Sequence, residues 1–438
     1  MLPVSDDPRD GVTVRVGVLG CGNVGAPLVE LIGARGDTVA DRTGLRLEVT
    51  RIAVRDLSKP RPVTLPADRF TTDARAIVDD PEIDLVVELI GGVEPARDLI
   101  LAALKAGKPV ITGNKELLAK HGAELFQAAE EAGVDLLFEA AVAGGIPIIR
   151  PLRESLVGER ITRVMGIVNG TTNYILTRMT EAGATYPEAL AEAQALGFAE
   201  ADPTADVEGF DAGAKAAIIA SIAFGSSVTA EDVHHEGITG VTEVDIAFAS
   251  KTGYVIKLLA VAEESDDGAI GVRVHPAMVP VAHPLAAVRE SFNAIFVEGA
   301  AVGDLMFYGR GAGGSPTASA ILGDLIDAAA NRHKGSHASI GQLAKAVFRP
   351  IEDAVSAYYL NVEVLDRPGV LAQVAGVFGD NGVSIRSMEQ EGLGGEARLI
   401  FITHRAREAD VRATLAALGA LDAVDRIGSV LRVLGDDL

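Results

Sequence analysis

Apolar and polar positions in the first third of the chain follow two alternating periods. Val14 to Leu19 and Leu47 to Val54 are runs rich in β-branched residues, and Asp84 to Ile90 and Pro109 to Thr112 are shorter runs of the same kind. Between them, Ala26 to Ala34, Pro95 to Ala106 and Lys115 to Ala132 carry apolar residues at helical spacing. Short buried strands separated by amphipathic helices predict an α/β fold, a doubly wound parallel sheet with helices on both faces. Asp135 to Glu139 reads as one further strand.

Beyond about Pro151 the texture changes. Ile161 to Val168, Ser250 to Glu263, Val272 to Val279 and Asn293 to Gly299 predict strands, and Tyr186 to Leu196 and Phe210 to Phe224 predict helices. This is the pattern of a mixed α+β region. The helical stretch Ala318 to Ala330 follows a glycine-rich turn and is expected to return to the first domain. Residues 331–356 are mixed and polar and read as a linker. From Tyr358 the order is strand, turn, helix, strand, strand, helix, strand, a ferredoxin-like βαββαβ module of about 80 residues. The expected division is 12–147 with return helices at about 313–345, then 148–312, then 356–438.

Composition narrows the function classes. A chain of 438 residues with 48 % hydrophobic and 23 % charged residues has the balance of a folded two- or three-domain protein and excludes bulk disorder. The formal charge of −22 argues against a nucleic-acid partner, because phosphate binding needs concentrated Lys and Arg. Cys21 is the single cysteine, which rules out an intramolecular disulfide and a thiolate zinc cluster. The acidic start MLPVSDDPRDG lacks the pattern of a signal peptide, and no apolar run reaches the roughly 18 residues of a membrane span. A cytoplasmic protein is expected.

The strand Val14 to Leu19 runs into Gly20-Cys21-Gly22-Asn23-Val24-Gly25, which fits G-x-G-x-x-G. Glycines there allow a tight turn and close approach of backbone to a pyrophosphate, and the following helix points its N-terminus at the anion. A lone match is weak, but this one has the strand-turn-helix context that the motif requires. Gly20, Gly22, Asn23, Val24 and Gly25 are the expected dinucleotide contacts. Arg55 stands where the second strand ends and suits a ribose 2′-phosphate, so NADP(H) is favoured; neighbouring Asp56 keeps NAD(H) open, and an ordinary exposed arginine is the bland alternative.

Several polar clusters interrupt the apolar segments. Thr112-Gly113-Asn114-Lys115-Glu116 follows a strand end, and Asn169 to Tyr174 follows the first strand of the middle region. The run from Gly197 to Lys215 contains Glu200, Asp206 and Asp211. Asp211 and Lys215 are four residues apart and share a helix face ahead of AAIIASIAF. Spacing alone leaves two readings open, a surface ion pair and a lysine tuned for proton transfer.

Together these clusters resemble homoserine dehydrogenase over about residues 12 to 330. GCGNVG, TGNKE, FEAAVAGGIPIIRPLRE, GIVNGTTNYIL, GFAEADPTADVEGFDAGAKAAI and FYGRGAGGSPTAS occur in the family's order. The resemblance implies reversible reduction of L-aspartate 4-semialdehyde to L-homoserine, a step of threonine, methionine and isoleucine biosynthesis. It implies Lys215 as proton donor to the carbonyl oxygen, and Lys115 beside substrate and cofactor. It places Glu200, Asp206 and Asp211 around the substrate, with Glu200 on its ammonium, and Gly313 against the cofactor. In the oxidative direction a neutral lysine must accept the hydroxyl proton, so alkaline pH should favour it. The loop Glu139 to Ile146 resembles the family's monovalent-cation loop, which implies sodium held at Glu139, Val142, Gly144 and Ile146.

Cys21 lies inside the phosphate turn with no histidine nearby in sequence, a poor setting for a nucleophile. That disfavours the thioester chemistry of a phosphorylating semialdehyde dehydrogenase. His333 and His337 are read as solvated linker residues rather than a zinc pair, and His234 and His235 as surface residues.

The C-terminal stretch LDRPGVL, followed by an apolar helix and Asp380-Asn381-Gly382, resembles an ACT domain. This implies threonine as effector near Asp366, Pro368, Gly369 and Asn381; an ACT-like dimerisation module without effector is the alternative. A homodimer, or a homotetramer if the ACT modules pair, is the implied assembly. A silent dinucleotide sensor and a different amino-acid dehydrogenase are the competing classes. The first would be expected to lack Lys215 or Glu200, and the second to carry other residues in place of FAEADPTADVEG.

Overall fold

The protein is described here as a computed structural model covering residues 11–392, 394 and 396–435. Its first unit contains strands β1 (Val12–Leu19), β2 (Leu45–Ala53), β3 (Phe70–Thr71), β4 (Leu85–Glu88), β5 (Val110–Thr112) and β6 (Leu136–Leu137). They form one parallel sheet in the order β3-β2-β1-β4-β5-β6, flanked by α1 (Gly25–Thr43), α2 (Ala74–Asp79), α3 (Ala96–Lys105) and α4 (Lys115–Ala132). The order reverses between β1 and β4, and open α/β sheets bind ligands in the crevice at that point.

The middle region contributes β7 (Ile161–Ile167), α5 (Gly170–Ala182), α6 (Tyr186–Ala195), α7 (Thr204–Val207), α8 (Phe210–Phe224), β8 (Ser226–Ser227), β9 (His234–His235) and α9 (Glu243–Lys251). It continues through β10 (Tyr254–Glu264), β11 (Ile270–Pro280), β12 (Phe292–Gly299), β13 (Gly303–Arg310), α10 (Gly314–Lys334) and β14 (Ala344–Lys345), which pairs with β8. Helix α10 does return to the first unit. Its Ala318, Ile321, Leu322, Leu325, Ala328 and Ala329 share a core with Val16, Val18, Leu28 and Leu47. The last unit holds β15 (Val355–Leu365), α11 (Val370–Asp380), β16 (Ile385–Gly392), β17 (Glu396–Thr403), β18 (Ala406–Arg407), α12 (Glu408–Gly419) and β19 (Val424–Val433).

The C-terminal unit is not separate from the middle region. One sheet runs β13-β12-β7-β10-β11-β19-β15-β17-β16 through both. The join is a short parallel pairing of β19 on β11, Ala277 against Arg432 and Met278 against Val433. Strand β9 pairs farther along the same strand, at Arg273 and Val274, so β9 and β19 are neighbours on β11.

Several local expectations change. The strand expected from Ser250 starts at Tyr254, because Ser250 and Lys251 close α9, whose start is fixed by a capping box between Thr242 and Asp245. Glu139 lies in a 3₁₀ turn (Glu139–Ala141) beyond β6. His333 belongs to the last turn of α10, beside Arg332 and Lys334, where positive charge complements the helix dipole. His235 is half-buried, with its ring 5.2 Å from that of Phe210. No helix among the described residues is long and apolar enough to cross a membrane.

Candidate active site

The phosphate turn has the geometry its glycines require. Gly20 has φ 107°, and a Cβ there would lie 2.5 Å from the Leu89 carbonyl oxygen; at Gly25 it would lie 2.3 Å from the Gly20 oxygen. Around Gly22 there is nothing within 4 Å of that position, so the backbone is open to an approaching ligand. Gly313 (φ 118°) begins α10, and Gly314 packs so tightly on the turn that a Cβ would meet the Asn23 oxygen at 2.3 Å. The return helix thus seats Gly314 on Asn23.

Beside the turn, Glu88 is fully buried at the end of β4. Its carboxylate accepts from the Thr112 hydroxyl at 2.6 Å and from the backbone N–H groups of Ile90 and Gly91. Thr112 accepts in turn from the Asn114 N–H, and Asn114 caps α4 at Leu117 while donating to the Gly92 oxygen. This network fixes the loops after β4 and β5 and sets Lys115 as the first residue of α4. The sequence signal for this network is a glutamate, Glu88, inside the apolar run DLVVELI.

Lys115 and Lys215 converge on one carboxylate. Lys215 donates to Asp211 Oδ2 at 2.7 Å and to the Val168 oxygen at 2.7 Å, while Lys115 ion-pairs with Asp211 Oδ1. The Lys115 side chain keeps 44 % of its surface exposed, against 12 % for Lys215 and 8 % for Asp211. Asp211 lies in the first turn of α8, where the helix dipole favours an anion. Burial works to raise its pKa, but the two ammonium groups outweigh it and hold the carboxyl well below the usual range. Asp206 moves the other way, pushed up by burial and by the charge of Asp211 against the opposing hydrogen bond from Asn169.

Asn169 joins these acids. Its amide nitrogen donates to Asp206 at 2.6 Å and Asp211 at 2.9 Å, while its oxygen caps α5 at Thr172. It sits in a polar cluster noted in the sequence, but its bridging role depends on residues about forty positions away. Glu200 is exposed, its carboxylate without a protein partner among the described residues. Its segment is anchored through the Phe198 oxygen, which accepts from Thr171.

Arg55 is exposed just beyond β2. Arg61 braces the same loop, donating to the Asp56 and Lys59 oxygens. Burial raises the Cys21 thiol, and the charge of Arg61 opposes that rise. At the cation loop, the Glu139 carboxylate accepts the N–H groups of Ile148, Ile149 and Arg150. Ala143 and Gly144 are both left-handed (φ 53° and 52°). The buried carbonyl oxygens of Val142, Gly144 and Ile146 receive no hydrogen bond among the described residues. Unmatched hard oxygens of this kind have the chemistry a monovalent cation takes, whereas the Glu139 carboxylate is already occupied by three N–H groups. Buried Asp324 accepts the Glu139 N–H at 2.8 Å, and desolvation pushes its pKa up to about 8. In the C-terminal unit, Asp366, Pro368 and Gly369 form an exposed loop before α11, and Asn381 closes that helix through the Val377 oxygen.

Family profiles match three segments: homoserine dehydrogenase, NAD binding domain, at residues 20–139; homoserine dehydrogenase at 147–326; and ACT domain at 358–423. A homoserine dehydrogenase of Corynebacterium glutamicum is 51 % identical over 431 residues, covering 97 % of each chain. The chain belongs to the homoserine dehydrogenase family. It is an NAD(P)-binding oxidoreductase with a C-terminal ACT domain. The crystal structure of a homoserine dehydrogenase from Thiobacillus denitrificans superimposes with a TM-score of 0.91 at 42 % identity, covering 97 % of this chain and 99 % of that one. A hyperthermophilic archaeal homoserine dehydrogenase in complex with NADPH gives a TM-score of 0.62 at 29 % identity, covering 72 % of this chain and 98 % of its own.

Proposed function

We propose that this family member interconverts L-aspartate 4-semialdehyde and L-homoserine, with Lys215 as proton donor and Lys115 as its partner at the reacting carbon. The observation that carries the reading is the pair of lysines on opposite oxygens of one buried carboxylate. An ammonium has three N–H donors, and Lys215 uses two on Asp211 and Val168. The third is left for a substrate oxygen. When bound, the reduced nicotinamide supplies hydride to the aldehyde carbon. Lys215 stabilises the charge developing on oxygen and then gives up a proton to it. Asp211 holds both ammonium groups in place. Glu200, exposed and without a protein partner among the described residues, suits the substrate's α-ammonium, and Asp206, tied to Asp211 through Asn169, is assigned beside it.

NADP(H) is the cofactor this reading favours, with Arg55 at the 2′-phosphate, Arg61 behind it, and Gly20, Gly22, Asn23, Val24, Gly25 and Gly313 along the pyrophosphate. The NADPH held by the archaeal relative supports it, and NAD(H) use is compatible with Asp56. Sodium at the carbonyls of Val142, Gly144 and Ile146, backed by Glu139, is part of the same reading. So are threonine as effector at Asp366, Pro368, Gly369 and Asn381, a dimeric or tetrameric assembly, and a cytoplasmic place in threonine and methionine biosynthesis. The domain division at 12–147 with 313–345, 148–312 and 356–438 belongs to it as well.

The test is to follow reduced-nicotinamide absorbance with homoserine and NADP⁺ for wild type and Lys215→Ala. Turnover is expected for the wild type and near-complete loss for the variant. A fully active Lys215→Ala enzyme refutes the proton donor.

A further inference from the structure

Residues 234–242 lie between the substrate loop and the ACT domain and are held from both sides. Toward the loop, the Ile238 N–H donates to the Val207 oxygen at 2.8 Å, and the Thr239 hydroxyl to Glu208 at 3.1 Å. Gly237 packs so closely that a Cβ would lie 2.5 Å from the Val207 oxygen. His235 presses on the first turn of α8, where a Cβ on Gly213 would lie 2.1 Å from its Nε2. Two residues before Gly213 stands Asp211.

Toward the ACT domain, Arg432 of β19 donates from both terminal nitrogens to Glu236, each at 2.8 Å. The same guanidinium donates to buried Glu408 at 2.7 Å, and Glu408 also accepts from the Tyr358 hydroxyl. The Ser429 hydroxyl lies within hydrogen-bond reach of two acceptors, the Gly240 oxygen at 2.9 Å and Asp245 at 2.5 Å, which share its one proton. Fully buried Asp245 takes a further bond from Tyr359 of β15 at 2.6 Å. Strand β15 leads from that contact to the loop at Asp366.

We propose that Arg432 and Ser429 are positioning residues for substrate binding: through residues 234–242 the ACT domain holds loop 206–211 in its binding geometry. The inference rests on reading that loop as substrate-binding. The backbone of 234–242 has two loads: toward the loop, a backbone bond between buried Ile238 and Val207 and a hydroxyl on the Glu208 carboxylate; toward the ACT domain, the charge-assisted Arg432–Glu236 pair and the exposed Ser429–Gly240 contact. A shift of β19 along β11 therefore moves Glu236 and Gly240, and with them the Ile238 N–H and the Thr239 hydroxyl that hold Val207 and Glu208. The pairing of β19 on β11 covers two residues, and Leu431 and Val433 pack beside it in the core that holds Met278.

The experiment uses the full chain and the variants Ser429→Ala, Glu236→Gln, Arg432→Lys and Arg432→Met. Amide hydrogen exchange of residues 204–211 is measured beside homoserine KM, kcat and the NADP⁺ dissociation constant. Faster exchange at 204–211 is expected, with homoserine KM raised about tenfold, kcat within about threefold and cofactor affinity unchanged. Arg432→Lys should recover part of what Arg432→Met loses. Unchanged exchange at 204–211 in folded variants overturns the inference, as does a loss of cofactor affinity that parallels the change in KM. If wild type fails to oxidise homoserine, the assigned reaction falls, while the exchange data still decide whether the ACT domain holds the loop.

Discussion

In the cleft, Asp211 is shared by two lysines, and one of them, Lys115, remains nearly half exposed. At the join with the ACT domain, Arg432 is 5 % exposed, and its terminal nitrogens are committed to Glu236 and Glu408. Both clusters bury carboxylates against cations at similar distances. They differ in what is left over. Around Asp211 one Lys215 N–H donor is left without a protein partner among the described residues, whereas at the join both anions are taken up by Arg432, which ties the strands and residues 234–242 together. Charge buried in pairs is not by itself a sign of catalysis; an unsatisfied donor at an open edge is the better marker.

That contrast can be broken by substitution. The largest effect is expected from Lys215→Ala, a fall in kcat of about 10²–10⁴-fold at nearly unchanged melting temperature, since Lys115 still neutralises Asp211. Steady-state kinetics and a thermal melt on the same preparation check both halves. Arg432→Met should do the opposite, costing about 3 kcal/mol of stability by chemical denaturation because buried Glu408 and half-buried Glu236 lose their shared partner. A melt unchanged from wild type would remove the distinction between the clusters.

Stability responds to pH with opposite signs at two acids, Asp211 and Asp324. Asp211 is held below its ordinary value, so it contributes stability that is present above about 3.8 and lost as pH falls through its folded pKa. Asp324 has the reverse sign. Its folded pKa of about 8 lies above the ordinary 3.8, so the folded state holds the extra proton and stability declines as pH rises between those values. Denaturation across that window should show a falling contribution that Asp324→Asn flattens. The smallest effect is expected at Arg55, which is exposed: Arg55→Ala should reduce the preference for NADP⁺ over NAD⁺ by up to about tenfold in kcat/KM. An unchanged ratio would shift attention to Arg61.

Where sequence reading worked, the information was local. The strand-turn-helix at Val14 to Gly25, helix α4 from Lys115 and helix α8 from Phe210 are each encoded in a few successive residues, by period and by glycine placement. Where it fell short, a long-range contact intervened. Ser250 looks like part of a β run, yet the Thr242–Asp245 cap and the pull of Tyr359 and Ser429 on Asp245 keep it in a helix. Glu139 reads as the end of a strand, but three N–H groups beyond Pro147 bend the chain into a turn around its carboxylate.

The amino-acid sequence by itself determined the class of cofactor turn, the alternation that builds the parallel sheet, and the polar clusters that mark the family. These depend on spacing within one element, which the chain carries wherever it goes. Only the tertiary structure decided that Lys115 and Lys215 meet on one carboxylate, that Asn169 ties Asp206 to Asp211, and that β19 joins the ACT domain to β11 beside Glu236. Those pairings unite residues dozens to hundreds of positions apart, and burial makes them matter: away from water an unpaired charge is costly, so the fold must bring its partner.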